Sequence, residues 1–225
     1  IWEVDRRRLT PGPATVRTVA FWAARLSTTS SVAAFYRPDR PVLLGARGAE
    51  DVRPLKESQV SVSFFDTLGI RPRLGRGFKL EETTRGARIA VISDRLWRQL
   101  GADPDIIGRR LARPDDTTTV IGVMPQTFDF PSGTDLWTPL FVHPVQNMNP
   151  TAEHYVEVIA RLRPGGTVAG VNSELATLAP QMAREFPVTY GDFTGVAEPL
   201  QQSLYRAVRP ALSALHVTAA LLFIG

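Results

Sequence analysis

No cysteine occurs among the 225 residues, so disulfide bonds, thiolate nucleophiles and cysteine-ligated zinc are all excluded. Lysine is almost as scarce. Lys56 and Lys79 are the only two, and arginine supplies the rest of the 26 positive charges that face 22 acidic residues. The net charge of +4 is modest, the arginines are scattered, and their one tight run, Arg6-Arg7-Arg8, is short and follows Asp5. A nucleic-acid surface gathers its basic residues on one face or stripe. This distribution speaks for a general arginine bias, and no nucleic-acid partner is expected. Phosphate-binding and nucleophile motifs are missing too. The "GARG" at Gly45 to Gly48 lacks the spacing and the lysine of a P-loop, and no dinucleotide fingerprint or G-x-S-x-G elbow is present. There is no initiator methionine and no signal peptide, so the chain reads as a fragment or a mature segment.

What is there is ordinary for a folded protein: 44% apolar and 21% charged residues, enough for one large domain or two modest ones. The last stretch differs in kind. "ALSALHVTAALLFIG", Ala211 to Gly225, carries no charge over 15 residues and follows Arg209-Pro210. A membrane-spanning helix needs roughly 20 apolar residues. The run reads as the first part of such a helix, the alternative being a buried C-terminal helix.

Along the chain, "IWEV" reads as a short strand. Val16, Val19, Trp22 or Ala23, and Leu26 then share one face of a helix that follows Pro11 and Pro13. "SSVAAFY" predicts a strand, and "PDRPVLLGARGAEDVRP" a loop with at most one short strand. "ESQVSVS" (Glu57 to Ser63) alternates as a strand does and leads into "FFDTLG", a short helix stopped by Gly69. "IRPRLGRGF" is a loop. "ARIAVIS" is a buried-type strand, and Ser93 or Asp94 caps the helix "DRLWRQL", which Gly101 ends. "TTTVIGVM", "DLWTPL" and "EHYVEVIARL" are strands. Val168, Val171, Leu175, Leu178, Met182 and Phe186 form an amphipathic stripe capped by Thr167, with Pro180 expected to kink that helix or end its hydrogen bonding early. The fold class is α+β.

Residues that could carry chemistry do not assemble a site. His154 and Glu157 would converge on a helix, but the segment reads as strand, where they point to opposite faces. His143 lies in a loop and His216 in the apolar tail, neither with an evident partner. Asp129 and Asp135 are spaced for acid–base work, yet both neighbour turn-forming Pro131 and Gly133, and they read as turn residues. Trp97 and Trp137 sit in apolar patterns that suggest core. Phe128, Phe130 and Trp137, in "VIGVMPQTFDFP…DLWTPL", are the candidate binding surface, suited to a peptide or a sugar if exposed. A structural corner with these aromatics buried is the preferred reading. No catalytic residue, cofactor or metal site is expected.

Several stretches, taken in order, resemble a known family. "VSVSFFDTLGIRPRLGRGF" (Val60 to Phe78) resembles its strand, "yFdvLG" turn and "GR-x-F" loop. "IAVISDRLWRQLGADPDIIGRRL" (Ile89 to Leu111) resembles its "LW" helix and "iGr" turn, and "TVIGVMPQTFDFP" with "DLWTPL" the block after that. "VIARLRPGGTVAGVNSELATLAPQMAREFP" (Val158 to Pro187) and the closing tail complete the pattern. This is similar to the MacB-like periplasmic core domain of FtsX-type ABC transporter permeases. The region before Val60 matches only loosely, and Pro180 departs from the uninterrupted helix of the family.

The resemblance implies a non-catalytic domain outside the cytoplasmic membrane, between the first and second transmembrane helices. It implies a porter-like βαβ subdomain from residues 1–74 and 150–206, an inserted strand-rich subdomain from 75–149, and the start of a transmembrane helix at 209–225. The implied partners are a cytoplasmic ATPase subunit or domain, the cytoplasmic (inner) membrane, a second copy or paired permease repeat, and a periplasmic adaptor or lipoprotein. The implied function is to couple ATPase-driven transmembrane motion to export of a substrate or to handling of such a partner.

Overall fold

The computed structural model describes residues 1–5, 11, 12, 14–45, 52–84, 87–113, 116–140, 155–186 and 193–204. In chain order the elements are β1 (Trp2–Asp5), β2 (Pro11–Gly12), β3 (Ala14–Thr15), α1 (Val16–Arg25), β4 (Thr29–Tyr36), β5 (Val42–Leu44), β6 (Arg53–Leu55), β7 (Glu57–Val60) and α2 (Phe64–Leu68). They continue with β8 (Leu74–Gly75), α3 (Leu80–Thr84), β9 (Ile89–Ile92), α4 (Asp94–Gln99), β10 (Arg110–Arg113), β11 (Asp116–Val123), β12 (Leu136–Pro139), β13 (Tyr155–Leu162), α5 (Val168–Glu185) and β14 (Phe193–Val196). One mixed sheet runs β10-β11-β9-β12-β7-β4-β13-β3, with β8 against β11. A three-stranded sheet, β14-β1-β2, and the hairpin β5-β6 complete the strands.

Alternation along the strands distributes their side chains between two faces. On β4, Val32 and Ala34 join one buried cluster with Trp22 of α1 and Leu175 of α5, while Ala33 and Phe35 join another with Phe64 of α2. On β9, Val91 faces that second cluster, whereas Ala90 and Ile92 pack with Leu96 of α4. Strands buried on both faces carry near-continuous apolar runs rather than alternating ones, which is why "SSVAAFY" and "ARIAVIS" look as they do. β11 holds the same parity only by a register shift between Val120 and Gly122 against β9. The extra residue places both Val120 and Val123 on the α4 side and both Ile121 and Met124 on the α2 side.

The helices begin and end where local chemistry dictates. Thr15, Ser93 and Thr167 each take an amide from the first turn of α1, α4 and α5, at 3.2, 3.1 and 3.0 Å. Gly69 closes α2 in the left-handed conformation, φ 67°. Arg161 of β13 lies across that turn: its Nε donates to the Thr67 carbonyl at 2.8 Å, and its guanidinium fills the space a Gly69 side chain would need.

Five local expectations change, the first being that "IRPRLGRGF" is not all loop, since Leu74 and Gly75 form β8 against β11. The 42–55 region forms a two-stranded hairpin instead of a loop with one strand. Leu43 pairs with Pro54, and the proline is tolerated because this small sheet has only edges. β7 stops at Val60 because Ser61 and Ser63 turn the chain, Ser63 donating to the Val32 carbonyl at 2.8 Å. α3 is an additional short helix. Its start is held by Glu82, which accepts from the Lys79 amide at 2.7 Å. Finally, α5 runs through Pro180 to Glu185. Proline in a helix interior costs about 3 kcal/mol. Leu178, Ala179 and Met182 are buried on either side of it, and that burial outweighs the loss.

Gly75 and Gly122 pair across β8 and β11 where the backbones pinch together. A Cβ on Gly75 would stand 2.1 Å from the Ile121 carbonyl, and its φ of +69° is already in the glycine-favoured region. Gly101 also has a positive φ, +96°, but nothing lies within 4 Å of it. Gly75→Ala should therefore cost at least ~3 kcal/mol and Gly101→Ala only about 1 kcal/mol, as read by urea unfolding. Equal costs would mean that backbone dihedral alone, and not the close approach, governs the site.

Candidate functional site

The segment from Val120 to Leu140 makes a sharp corner, and its polar groups are used to build it. Asp129 accepts from the Gly133 amide at 2.7 Å and the Ser132 hydroxyl at 3.0 Å. Asp135 accepts from the Lys56 amide at 2.9 Å and from Arg95 at 2.8 Å, while Arg95 also reaches the Gly133 carbonyl. Asp129 is thus engaged within its own turn, whereas Asp135 ties that turn to the Lys56 backbone and to Arg95. Phe130 precedes Pro131 through a cis peptide bond, and its carbonyl accepts from the Trp137 indole at 3.1 Å.

The candidate aromatics divide. Trp137 is 0% exposed, and Phe128 and Phe130 are half-buried against the same cluster. Phe128 lies 5.3 Å from Trp137 between ring centroids, Phe130 lies 5.3 Å from Phe35, and Phe65 touches both Phe128 and Trp137 at 6.0 Å. All but the tilted Phe128–Trp137 pair are edge-to-face, and aromatic pairs of that geometry add about 0.5–1.5 kcal/mol each beyond burial. The rings are committed to one another, and Trp137 is buried while the two phenylalanines are partly exposed. Of the other residues weighed, Trp97 is half-buried, donates to the Asp103 carbonyl at 2.8 Å and lies under Arg73. Glu157 sits on a strand and pairs with Arg37 at 3.0 Å. His143, His154 and His216 lie outside the described residues.

Beside the corner the sheet opens into a groove of about 750 Å³. Its rims carry Tyr36 and Tyr155, and its floor includes the buried hydroxyl pair of Ser58 and Thr134, 2.9 Å apart. Nothing in the sequence singled it out. Pro38, Pro41 and Pro54 around a tyrosine were the available signal, but only the strand register brings Tyr155 across from them.

A second arrangement involves the chain ends. β1 and β14 are antiparallel with Trp2 opposite Val196, so the first and last strands of the described residues lie side by side. Gly195 lets this sheet close on the core: a Cβ there would meet Leu175 and Trp22 at 2.8 Å. Beyond it, the Asn172 side chain of α5 clamps the Ala197 peptide. It accepts from the amide at 2.7 Å and donates to the carbonyl at 3.0 Å. Two residues on, Glu174 collects the amides and hydroxyls of Ser27 and Thr28, tying α5 to the turn between α1 and β4. Partial burial pushes the Glu174 carboxyl up, but the hydrogen bonds from Ser27 and Thr28 outweigh it and hold the group below its ordinary 4.5. Hydrogen bonds from Arg76, with the Lys79 amide, do the same for Glu82.

With these observations the class is clear: an α+β scaffold whose first and last strands among the described residues pair with each other and whose polar side chains named above fix turns and strand junctions. The chain belongs to the MacB-like periplasmic core domain family, whose pattern matches residues 4–178. Among solved structures, the periplasmic region of MacB from Actinobacillus actinomycetemcomitans is similar, with a TM-score of 0.59 over 89% of this chain and 86% of that one. The domain of a putative permease protein from Porphyromonas gingivalis gives 0.57 over 91% and 93%. The extracellular domain of the noncanonic ABC-type transporter YknZ from Gram-positive bacteria gives 0.59 over 87% and 98%. Each shares 14% identity with this chain, so the likeness establishes the shared fold. No curated protein sequence matches.

A carboxylate held below its ordinary pKa contributes stability that is complete above the unfolded value and is lost as pH falls through the folded one. Glu174→Gln should cost about 1–2 kcal/mol near neutral pH, because charged acceptors make the stronger hydrogen bonds. That deficit should shrink below pH 4.5 as the wild-type carboxyl protonates. Urea unfolding at several pH values reads both effects, and a deficit independent of pH would show that packing, not the charge, carries the contact.

Proposed function

We propose that this domain is the extracytoplasmic core of an ABC transporter permease, without catalysis of its own, and that it couples ATPase-driven motion of transmembrane helices to export of a substrate or to handling of a lipoprotein or partner. The observation that carries the reading is the pairing of β1 with β14. A domain inserted between two membrane helices must receive and return the chain at one place, and the register Trp2 to Val196 supplies that. Rigid-body transmission needs stiff elements joined to whatever moves. The Asn172 clamp and the close fit at Gly195 supply that stiffness by fixing the terminal strands to α5 and the core.

In this reading residues 1–74 and 150–206 act as the porter-like subdomain, 75–149 as the insertion, and Arg209 onward as the approach to a membrane helix. Among the described residues no helix is long and apolar enough to cross a membrane. The apolar run from Ala211 lies beyond them. The partners that follow are a cytoplasmic ATPase, the cytoplasmic membrane, a second copy or paired repeat, and an adaptor or lipoprotein outside the membrane. Phe128, Phe130 and Trp137 brace the corner.

Placement outside the cytoplasmic membrane is tested with a single cysteine at Ser132, an exposed residue in a sequence that has none. An impermeant maleimide should label it in intact cells whose outer membrane, where one exists, has been permeabilised. Labelling only after the inner membrane is broken would place the domain in the cytoplasm and end the proposal. Stiff coupling is tested separately. Asn172→Ala should raise hydrogen exchange at the Ala197 amide about tenfold or more, as loss of a buried-side hydrogen bond of 1.4 kcal/mol or so implies. Amides of β4 should keep their protection. Unchanged exchange at Ala197 would show the clamp to be dispensable.

A further inference from the structure

Exposed apolar side chains gather in the last described residues, and we propose that Leu200 and Leu204 rest in the membrane surface, at the boundary between lipid headgroups and acyl chains. Val196 is 40% exposed, Leu200 39% and Leu204 48%, all within one short segment. An exposed apolar residue standing singly is ordinary, whereas neighbouring ones mark a contact with protein or membrane. The fold explains why the segment faces outward. Gly195 turns its open side to Leu175 and Trp22 of the core. Successive residues of a strand alternate between faces, so Val196 points away from that core.

Beyond the strand, residues 200–204 form a helical turn that starts on Pro199, whose carbonyl accepts from the Gln202 and Ser203 amides at 2.9 and 3.2 Å. Helical residues four apart share a face. Leu200 and Leu204 therefore lie together, and Gln202 lies opposite them. In the sequence, Val208 continues the spacing of the two leucines, while Arg206 and Arg209 fall at helical spacing on the side of Gln202. An apolar face backed by amides and arginines is the pattern of a helix that lies in the plane of a membrane interface.

What covers this face is set by the sequence that follows it. The uncharged run from Ala211 begins a short distance after Leu204 in the chain. An extended chain spans at most about 3.6 Å per residue, so the link from Leu204 to Ala211 reaches no farther than about 25 Å. The inference rests here on the membrane reading of that run given above. With the run in a bilayer, Leu204 is tethered within that distance of its surface. Pro210 sets the angle. The residue before a proline is steered away from helical conformation, so the sequence predicts a break at Arg209 and no straight continuation into the span. A segment that breaks there can lie along the surface, where Arg206 and Arg209 are drawn to anionic headgroups.

The test uses the whole chain, which has no cysteine of its own, in vesicles of phosphatidylcholine and phosphatidylglycerol. The single-cysteine variants Leu200→Cys, Leu204→Cys, Gln202→Cys and Leu215→Cys each carry an environment-sensitive fluorophore, and a lipid with a nitroxide high on its acyl chain is the quencher. Leu200→Cys and Leu204→Cys should lose about half of their emission or more to the quencher, and Gln202→Cys little. Leu200, Gln202 and Leu204 are exposed, so circular dichroism should show these variants folded. Leu215→Cys reports on the apolar run by itself. Quenching at Leu215→Cys but not at Leu200→Cys and Leu204→Cys would overturn the inference and leave the membrane reading standing. No quenching at any position would overturn both. A blue-shifted but unquenched signal at Leu200→Cys and Leu204→Cys would mean that protein covers the face, either a second copy or another helix. Equal quenching at Gln202→Cys would mean that no face is selected. Either of these results would overturn the proposal.

Discussion

The central strands of this domain are buried on both faces, and almost everything else follows from keeping that arrangement in phase. A strand with two buried faces has no spare side on which to hide an error. A one-residue slip would exchange the two sets of side chains between clusters of different shape. β4 shows the rule in its simplest form, with Val32 and Ala34 turned to α1 and α5 and Ala33 and Phe35 turned to α2. β11 shows how a longer strand stays in phase. Its register shift at Val120 and Gly122 lets one strand run beside β9 in parallel and still receive β8 antiparallel at Gly75 and Gly122. The glycines are there because two backbones approach within the space of a side chain.

What the sequence disclosed was what depends on neighbours along the chain. The caps at Ser93 and Thr167, the stop at Gly69 and the stripe from Val168 to Phe186 are local, and each is where residue type alone would put it. Pro180 predicts a kink or an early end to regular hydrogen bonding, and the helix instead continues to Glu185. Whether a helix ends there depends on what its flanks bury, and Leu178 and Met182 are committed to a core assembled from α1, β4 and β13. The hairpin from Val42 to Leu55 was missed for a related reason. A proline in a three-residue strand argues against a ladder until the sheet is known to be all edge.

The aromatic corner and the groove beside it share a single construction. Arg95 and Asp135 pin the turn onto the Lys56 backbone, Trp137 then drops into the core, and β12 is delivered between β7 and β9. Because β12 takes the even-numbered backbone groups of β7, only the odd-numbered ones remain for β4, and Pro38 ends that second ladder early. The open rung at Glu57 is thus the remainder of a packing problem solved elsewhere. The sequence held the parts, a proline after a tyrosine and a lysine before a strand. It held no sign of the register that sets them opposite Tyr155.

Stiffness at the chain ends completes the logic. A short three-stranded sheet at the edge of a domain would ordinarily fray, since terminal segments with few buried contacts open first. Here it is fastened by three unlike means: main-chain pairing of β1 with β14, close apposition of Gly195 to Leu175 and Trp22, and the Asn172 clamp on Ala197. Two of the three run through α5, and α5 is itself fixed by Glu174 to the turn that starts β4. Contacts therefore run in sequence from the β1–β14 pair through α5 to the turn that starts β4. The groove lies at the far end of that strand, at Tyr36, so the strand that α5 holds near its start also forms one wall of the cleft.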